Sequence, residues 1–87
     1  MLIAADIGNT NIVIGFFKDG NFLFSRRLHT GPPQSVDEYE MLLRGMLFAF
    51  KGDLDTAESG VMASVVPELT GVFIELLKRI TSLKPLI

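Results

Sequence analysis

Leu2-Ile3-Ala4-Ala5-Asp6-Ile7-Gly8-Asn9-Thr10-Asn11-Ile12-Val13-Ile14-Gly15-Phe16-Phe17 is the stretch whose reading decides the fold. Leu2 to Ala5 is an unbroken apolar run that ends on a carboxylate, Asp6. Such a run reads as a strand buried on both faces. Asp6 to Asn11 then has turn chemistry, because Gly8 accepts positive φ and Asn9 tolerates left-handed geometry. Ile12 to Phe17 resumes as a second apolar strand. Two strands joined by so short a polar turn pair antiparallel.

Working outward, Asp19-Gly20 is a two-residue hairpin signal, and a third strand follows from Asn21 to Leu28. Gly31-Pro32-Pro33 marks a loop. Ser35 and Glu38 form a capping-box pair. After them Tyr39, Leu42, Leu43, Met46, Leu47 and Phe50 recur at helical spacing, with Gly52 in the usual stop position. Gly60 to Val66 reads as a central parallel strand. Pro67 suits the first turn of a second helix, whose stripe is Leu69, Val72, Phe73, Leu76, Leu77 and Ile80, with Lys78 and Arg79 near its C-terminus. Lys84-Pro85-Leu86-Ile87 looks like the opening of one more strand.

The expected spans are strands at 2–6, 11–18, 21–28 and 59–65 and helices at 36–50 and 67–81. The order β-β-β-α-β-α-(β), a meander running into right-handed crossover units, is that of an α/β half domain with the ribonuclease-H-like fold.

Eighty-seven residues hold one small domain, and the 48% hydrophobic and 21% charged content is that of a globular chain. The apolar share is high for this size, which points to a face that meets a partner or a further domain. A net charge of −2 leaves no electrostatic footprint for nucleic acid. With no cysteine and one histidine, His29, thiolate chemistry and a self-contained zinc site are excluded. No leader pattern and no membrane-length apolar run occur, so the expectation is a soluble, cytoplasmic protein.

The turn is the one place with chemistry. Gly8 would let backbone amides approach phosphate oxygens, Asn9 would brace the turn, and the Thr10 hydroxyl with adjacent amides would form a small anion nest. Asp6, where a strand meets solvent, could hold a hydrated magnesium ion. An ordinary hairpin that uses Gly and Asn only to turn is the competing account. The cost of a carboxylate on a doubly buried strand favours the functional one.

These residues resemble a family. Asp6-x-Gly8-Asn9-Thr10 is similar to the first phosphate motif of type III pantothenate kinases, of the acetate-and-sugar-kinase (actin-like ATPase) superfamily. The resemblance continues through Arg27-Leu28-His29-Thr30, Asp37-Glu38-Tyr39, Ser64-Val65-Val66-Pro67 and Lys84-Pro85-Leu86-Ile87, so it covers the chain in order. It implies transfer of the terminal phosphate of ATP to pantothenate, the first step of coenzyme A synthesis. Asp6, Ile7, Gly8, Asn9, Thr10, Asn11, Ile12 and Val13 would lie against the ATP phosphates, with Asp6 acting indirectly on the magnesium of Mg-ATP. It also implies a monovalent cation, potassium or ammonium. Separately, the high apolar share and an unfinished sheet edge lead to the expectation of a homodimer or of association through exposed apolar faces. Family members are much longer. The Gly-Ala-Asp-Arg segment that carries the proposed base has no counterpart here, so no catalytic residue is assigned and residues 1–87 are expected to be a truncated, inactive N-terminal subdomain lacking the second domain.

Other residues read as structural. Arg27 and Thr30 could face the cleft, but Arg27 suits an edge-strand charge. His29 beside the Pro-Pro loop is expected to be exposed. Ser64, without a histidine, is no activated nucleophile. Lys18 solvates the hairpin, and Tyr39, Phe48, Phe50 and Phe73 fit helix packing. Two other functions compete with the kinase fragment: a Baf-type transcription-activating relative without kinase activity, and a ribonuclease-H-like nuclease. The nuclease is disfavoured because Asp6 lacks companion carboxylates for two metals.

Overall fold

The structure, a computed structural model, describes residues 1–50 and 57–81. Its elements are β1 (Leu2–Ile7), β2 (Asn11–Lys18), β3 (Asn21–His29), α1 (Val36–Ala49), β4 (Ser59–Ser64) and α2 (Pro67–Thr81). Each of the six spans expected within these residues is present, with ends within one residue of the expected ones. The Gly52 helix stop and the strand at Lys84 to Ile87 lie outside the described residues.

The strands form one sheet in the order β3-β2-β1-β4. β1 pairs antiparallel with β2, bringing Ile7 opposite Ile12, and β2 pairs antiparallel with β3. The β2–β3 hairpin turns on Asp19 (φ 52) and Gly20 (φ 78). Positive φ at both central residues matches the right-handed twist of the flanking strands. β4 lies parallel to β1 on its other side, reached through α1, as a crossover unit requires.

Both helices cover the same face of the sheet. Ile3, Ala5, Ile7, Ile12, Ile14, Phe16, Phe24 and Met62 point into a core closed by Tyr39, Leu43 and Leu47 of α1 and by Leu69, Phe73, Leu76 and Leu77 of α2. Tyr39 packs on Phe73 with ring centroids 4.8 Å apart, and Phe24 is sandwiched between Phe16 and Phe50 at 4.5 and 4.2 Å. Across the helix pair, Arg79 binds Asp37 and, at 3.4 Å, Glu40. At Gly60 of β4 an added Cβ would sit 3.2 Å from Leu77, so α2 lies hard against that strand.

Three expectations are corrected here. β1 is not buried on both faces: Ile3, Ala5 and Ile7 are buried, whereas Leu2 and Ala4 are only partly so and Asp6 is exposed. β4 is not central among the described residues. Among the described strands it is the outermost, and the strand expected at Lys84 to Ile87 falls outside them; it alternates in the same way, with Gly60 and Met62 buried and Ala63 exposed. The cause is common to both strands, since α1 and α2 share one face and, among the described residues, the other carries an open concavity of about 450 Å³ lined by Ala4, Asp6, Val13, Phe17, Phe22 and Val61. In α1, Phe48 and Leu42 do not pack inward: Phe48 is 83% exposed, and Leu42, expected in the core stripe, is also exposed. The helix is apolar on its outer side too, through Met41, Leu42, Gly45, Phe48 and Ala49.

Candidate functional site

The β1–β2 turn is built by the strands that enter it. Ile7 and Ile12 are both fully buried and paired, which fixes where the chain leaves the sheet. Within the turn, the Gly8 amide donates to the Asn11 carbonyl at 2.9 Å. A Cβ at Gly8 would lie 3.2 Å from that same carbonyl oxygen, so the close reversal favours glycine there. The Gly8 carbonyl does not complete the turn by accepting in return. It accepts the Thr30 hydroxyl instead, at 2.7 Å, while the Thr30 amide donates to the Thr10 carbonyl at 2.9 Å. Among the described residues, the amides of Asn9 and Thr10 then have no protein acceptor, and both residues are exposed. Two neighbouring amides left facing solvent on a braced turn are suited to an anion.

Asp6 precedes the turn on the uncovered face. Its register partners are Val13 on β2 and Ala63 on β4. Among the described residues the side chain makes no ion pair and no hydrogen bond. The burial cost that favoured a functional reading of Asp6 in the sequence is therefore absent, because the carboxylate stands in solvent. What remains in favour of function is its position, at the strand end where the free amides lie. No three His, Cys, Asp or Glu side chains converge among the described residues. The donor set thus fits a magnesium ion carried by phosphates and water, with one carboxylate beside it, and does not fit an all-protein cage.

The other end of the sheet's C-terminal edge is closed by the β4–α2 junction. The Val65 amide donates to the Ile7 carbonyl at 3.0 Å, joining the junction to the residue before the turn. Ser64 Oγ accepts the Val66 amide at 3.1 Å and the Thr70 hydroxyl at 3.0 Å, which gives it a helix-starting role. His29 is exposed and Lys18 is exposed, as expected. Ile12 is buried within the core and Ile7 beneath the turn, so of the eight motif residues these two support the site and do not face it.

Thr30 is the residue that sequence reasoning undervalued. It is 5% exposed and ties the end of β3 to the turn through both its hydroxyl and its amide. The available signal was its place one residue beyond a strand whose last residue, His29, pairs with Asn11 beside the turn, but a lone threonine before Gly-Pro-Pro has no spacing that marks it.

The model of the family described as "Type III pantothenate kinase" matches residues 2–87. The chain belongs to this family. Among curated relatives, the type III pantothenate kinase of Finegoldia magna is 36% identical over the whole chain, and that of Moorella thermoacetica 37%. The chain spans 33% and 34% of those two proteins. Among solved structures, a Bacteroides thetaiotaomicron protein described as having an actin-like ATPase fold and unknown function superposes over 99% of this chain and 32% of its own, with a TM-score of 0.64 at 12% identity. That likeness establishes the fold, which agrees with the ribonuclease-H-like half domain expected from the strand order.

Proposed function

We propose that this chain is the ATP-phosphate-binding part of a kinase that transfers the terminal phosphate of ATP to pantothenate, the opening reaction of coenzyme A synthesis. The observation that carries the reading is the turn from Gly8 to Asn11, where, among the described residues, the amides of Asn9 and Thr10 have no acceptor and the Asp6 carboxylate at the end of β1 has no partner. Family membership supplies the substrate. The amides and the Thr10 hydroxyl would hold the phosphate oxygens, while Asp6 would orient water on the magnesium of Mg-ATP. Asn11 and Val13 would flank the nucleotide from β2. Magnesium would offset the charge on the transferred phosphate, and phosphoryl transfer asks chiefly for such positioning and charge stabilisation.

The reading extends to a monovalent cation, potassium or ammonium, for which no ligand is assigned among the described residues. The catalytic base is placed outside residues 1–87, in a second domain of the kind expected from the family resemblance. We place the enzyme in the cytoplasm and expect a homodimer. Among the described residues no helix is long and apolar enough to cross a membrane. Self-association is supported by the outer side of α1, where Met41 is 73% and Phe48 83% exposed.

The test is calorimetry of the 87-residue chain with Mg-ATP, followed by an assay of pantothenate phosphorylation. The expected result is weak binding that inorganic triphosphate competes away, with no turnover. Absence of any phosphate-dependent binding would remove the site assignment, and turnover by this chain alone would overturn the placement of the base. An enzyme of the relatives' full length carrying these residues should phosphorylate pantothenate. Nucleotide binding there without turnover would favour the transcription-activating relative.

A further inference from the structure

We infer that Thr30 is a positioning residue for the phosphate site, holding the β1–β2 turn in its anion-binding form from the far end of β3. The inference rests on the phosphate reading of the turn and deepens it. Three observations lead to it. Thr30 belongs to neither strand of the hairpin it touches, and it is one of two buried polar residues among the described ones, 5% exposed. Its hydroxyl donates to the Gly8 carbonyl at 2.7 Å, and its amide donates to the Thr10 carbonyl at 2.9 Å. The Gly8 and Thr10 carbonyls are thus both drawn toward Thr30.

The chemistry follows from that geometry. The reversal closes on itself through one bond, from the Gly8 amide to the Asn11 carbonyl, and the Gly8 carbonyl is left for a donor from elsewhere. Here Thr30 takes the Gly8 carbonyl from outside the turn, and among the described residues the amides of Asn9 and Thr10 remain unspent. A carbonyl aimed at an incoming phosphate would repel it, so holding two of them on Thr30 also clears the approach. Valine has nearly the same shape without the donor. It would leave the Gly8 carbonyl part-buried and unpaired, a cost the turn can relieve only by rearranging.

Immediately beyond, Gly31 has φ +48, and the Gln34 amide donates to the Tyr39 hydroxyl at 3.3 Å. The loop from Thr30 to Ser35 is thereby fastened at both ends, to the turn and to the buried side of α1. Thr30 is fixed by that frame as well as by β3, which makes it a firm support for a turn whose own tip is exposed.

The experiment compares the 87-residue chain with Thr30→Val and Thr30→Ser, using inorganic triphosphate with magnesium as the probe and the amide resonances of Asn9 and Thr10 as the readout. The chain should show saturable shifts at both amides. Thr30→Ser keeps the donor and should bind within about twofold, whereas Thr30→Val should bind about tenfold more weakly at temperatures where it remains folded. The Asn9 and Thr10 resonances of Thr30→Val should also move before any probe is added. A purely structural role would lower the melting temperature of Thr30→Val and leave probe affinity intact, and that result overturns the inference alone. Failure of the unsubstituted chain to bind removes the phosphate reading and this inference with it. If Thr30→Val does not fold, Thr30→Ser decides: a folded serine variant that loses binding overturns the role of the hydroxyl.

Discussion

Asp6 and Arg27 stand in one row across the sheet, each directly opposite Val13, on the face that neither helix covers. Directly paired residues project to the same side, so an anion held at the turn would have a carboxylate in one column and a guanidinium two columns away. The edge-strand account of Arg27 explains its exposure but not this alignment. Arg26, its neighbour, pairs with Ile14 and projects to the other side, with its guanidinium 5.0 Å above the Phe24 ring.

That contrast gives a matched pair of variants. Arg27→Gln and Arg26→Gln remove the same charge from the same strand. Unit charges ~8 Å apart in a largely aqueous setting interact by ~0.5–1 kcal/mol, so Arg27→Gln should weaken triphosphate binding about two- to fivefold. Arg26→Gln should change it little. Equal effects from both, measured by calorimetry at one salt concentration, would mean that Arg27 acts only through net charge.

Asp6→Asn removes the charge and little volume from an exposed side chain with no partner among the described residues. The fold should persist, with a melting temperature within about 3 °C of the parent. Magnesium should no longer strengthen triphosphate binding to the variant. In an enzyme of full length, pantothenate phosphorylation by Asp6→Asn should fall severely, and a normal rate there would refute the role given to this carboxylate.

The capping box of α1 carries a pH signature. Ser35 Oγ accepts the Glu38 amide at 3.1 Å, and Glu38 returns the bond from the Ser35 amide at 3.0 Å. The Ser35 backbone bond, followed by the Ser35 side-chain bond, holds the Glu38 carboxyl below its ordinary value of 4.5. A carboxyl lowered on folding contributes stability above its unfolded pKa and loses it as pH falls through the folded pKa. Ser35→Ala should therefore cost stability at pH near 7, typically about 1 kcal/mol for loss of such a cap. Alanine keeps the Ser35 amide that chiefly lowers the Glu38 carboxyl, so the pH signature belongs to Glu38→Gln, whose gap from the parent should narrow on acidification below the ordinary carboxylate range, as read by urea denaturation at several pH values.

Two glycines should respond oppositely to alanine. At Gly60 the new methyl would meet Leu77 at 3.2 Å, and overpacking of this kind costs ~1–3 kcal/mol. At Gly71, inside α2 and exposed, the new methyl meets nothing within 4 Å. Alanine there should stabilise by up to ~1 kcal/mol through helix propensity. Denaturation midpoints of the two variants should move in opposite directions.

The outer side of α1 is tested by Phe48→Glu. With Phe48 83% exposed, the change should leave monomer stability nearly unaltered. Sedimentation of the parent at rising concentration should show association that the variant lacks, and a parent that stays monomeric throughout would count against an interface on this helix.

The order and ends of the elements were legible because turns and caps in this chain are local and chemically explicit. Asp19-Gly20, Ser35 with Glu38, and Pro67 each mark a boundary by the backbone geometry they require. Which faces are covered was not legible. An apolar run such as Leu2 to Ala5 has the same pattern whether helices lie on one side or both, and the small Ala4 tolerates either. The same limit hid the exposure of Phe48, whose spacing fits a second stripe opposite the first. At the site, Gly8 and Asn9 announced a turn, but the bond from Thr30 spans a sequence separation that no local pattern encodes.

The position of β1 also has a consequence for synthesis on the ribosome. It is made before the other described strands, yet it lies between β2 and β4, with Leu2 opposite both Phe17 and Ser59. The meander can pair as soon as β3 emerges, but one side of β1 stays open until the whole of α1 and then β4 have been translated. Long-range closure of this kind is slow relative to hairpin formation. A nascent chain stalled before β4 would thus display the edge of its central strand while already possessing the β1–β2 turn, and chaperone occupancy should fall once residue 64 clears the exit tunnel.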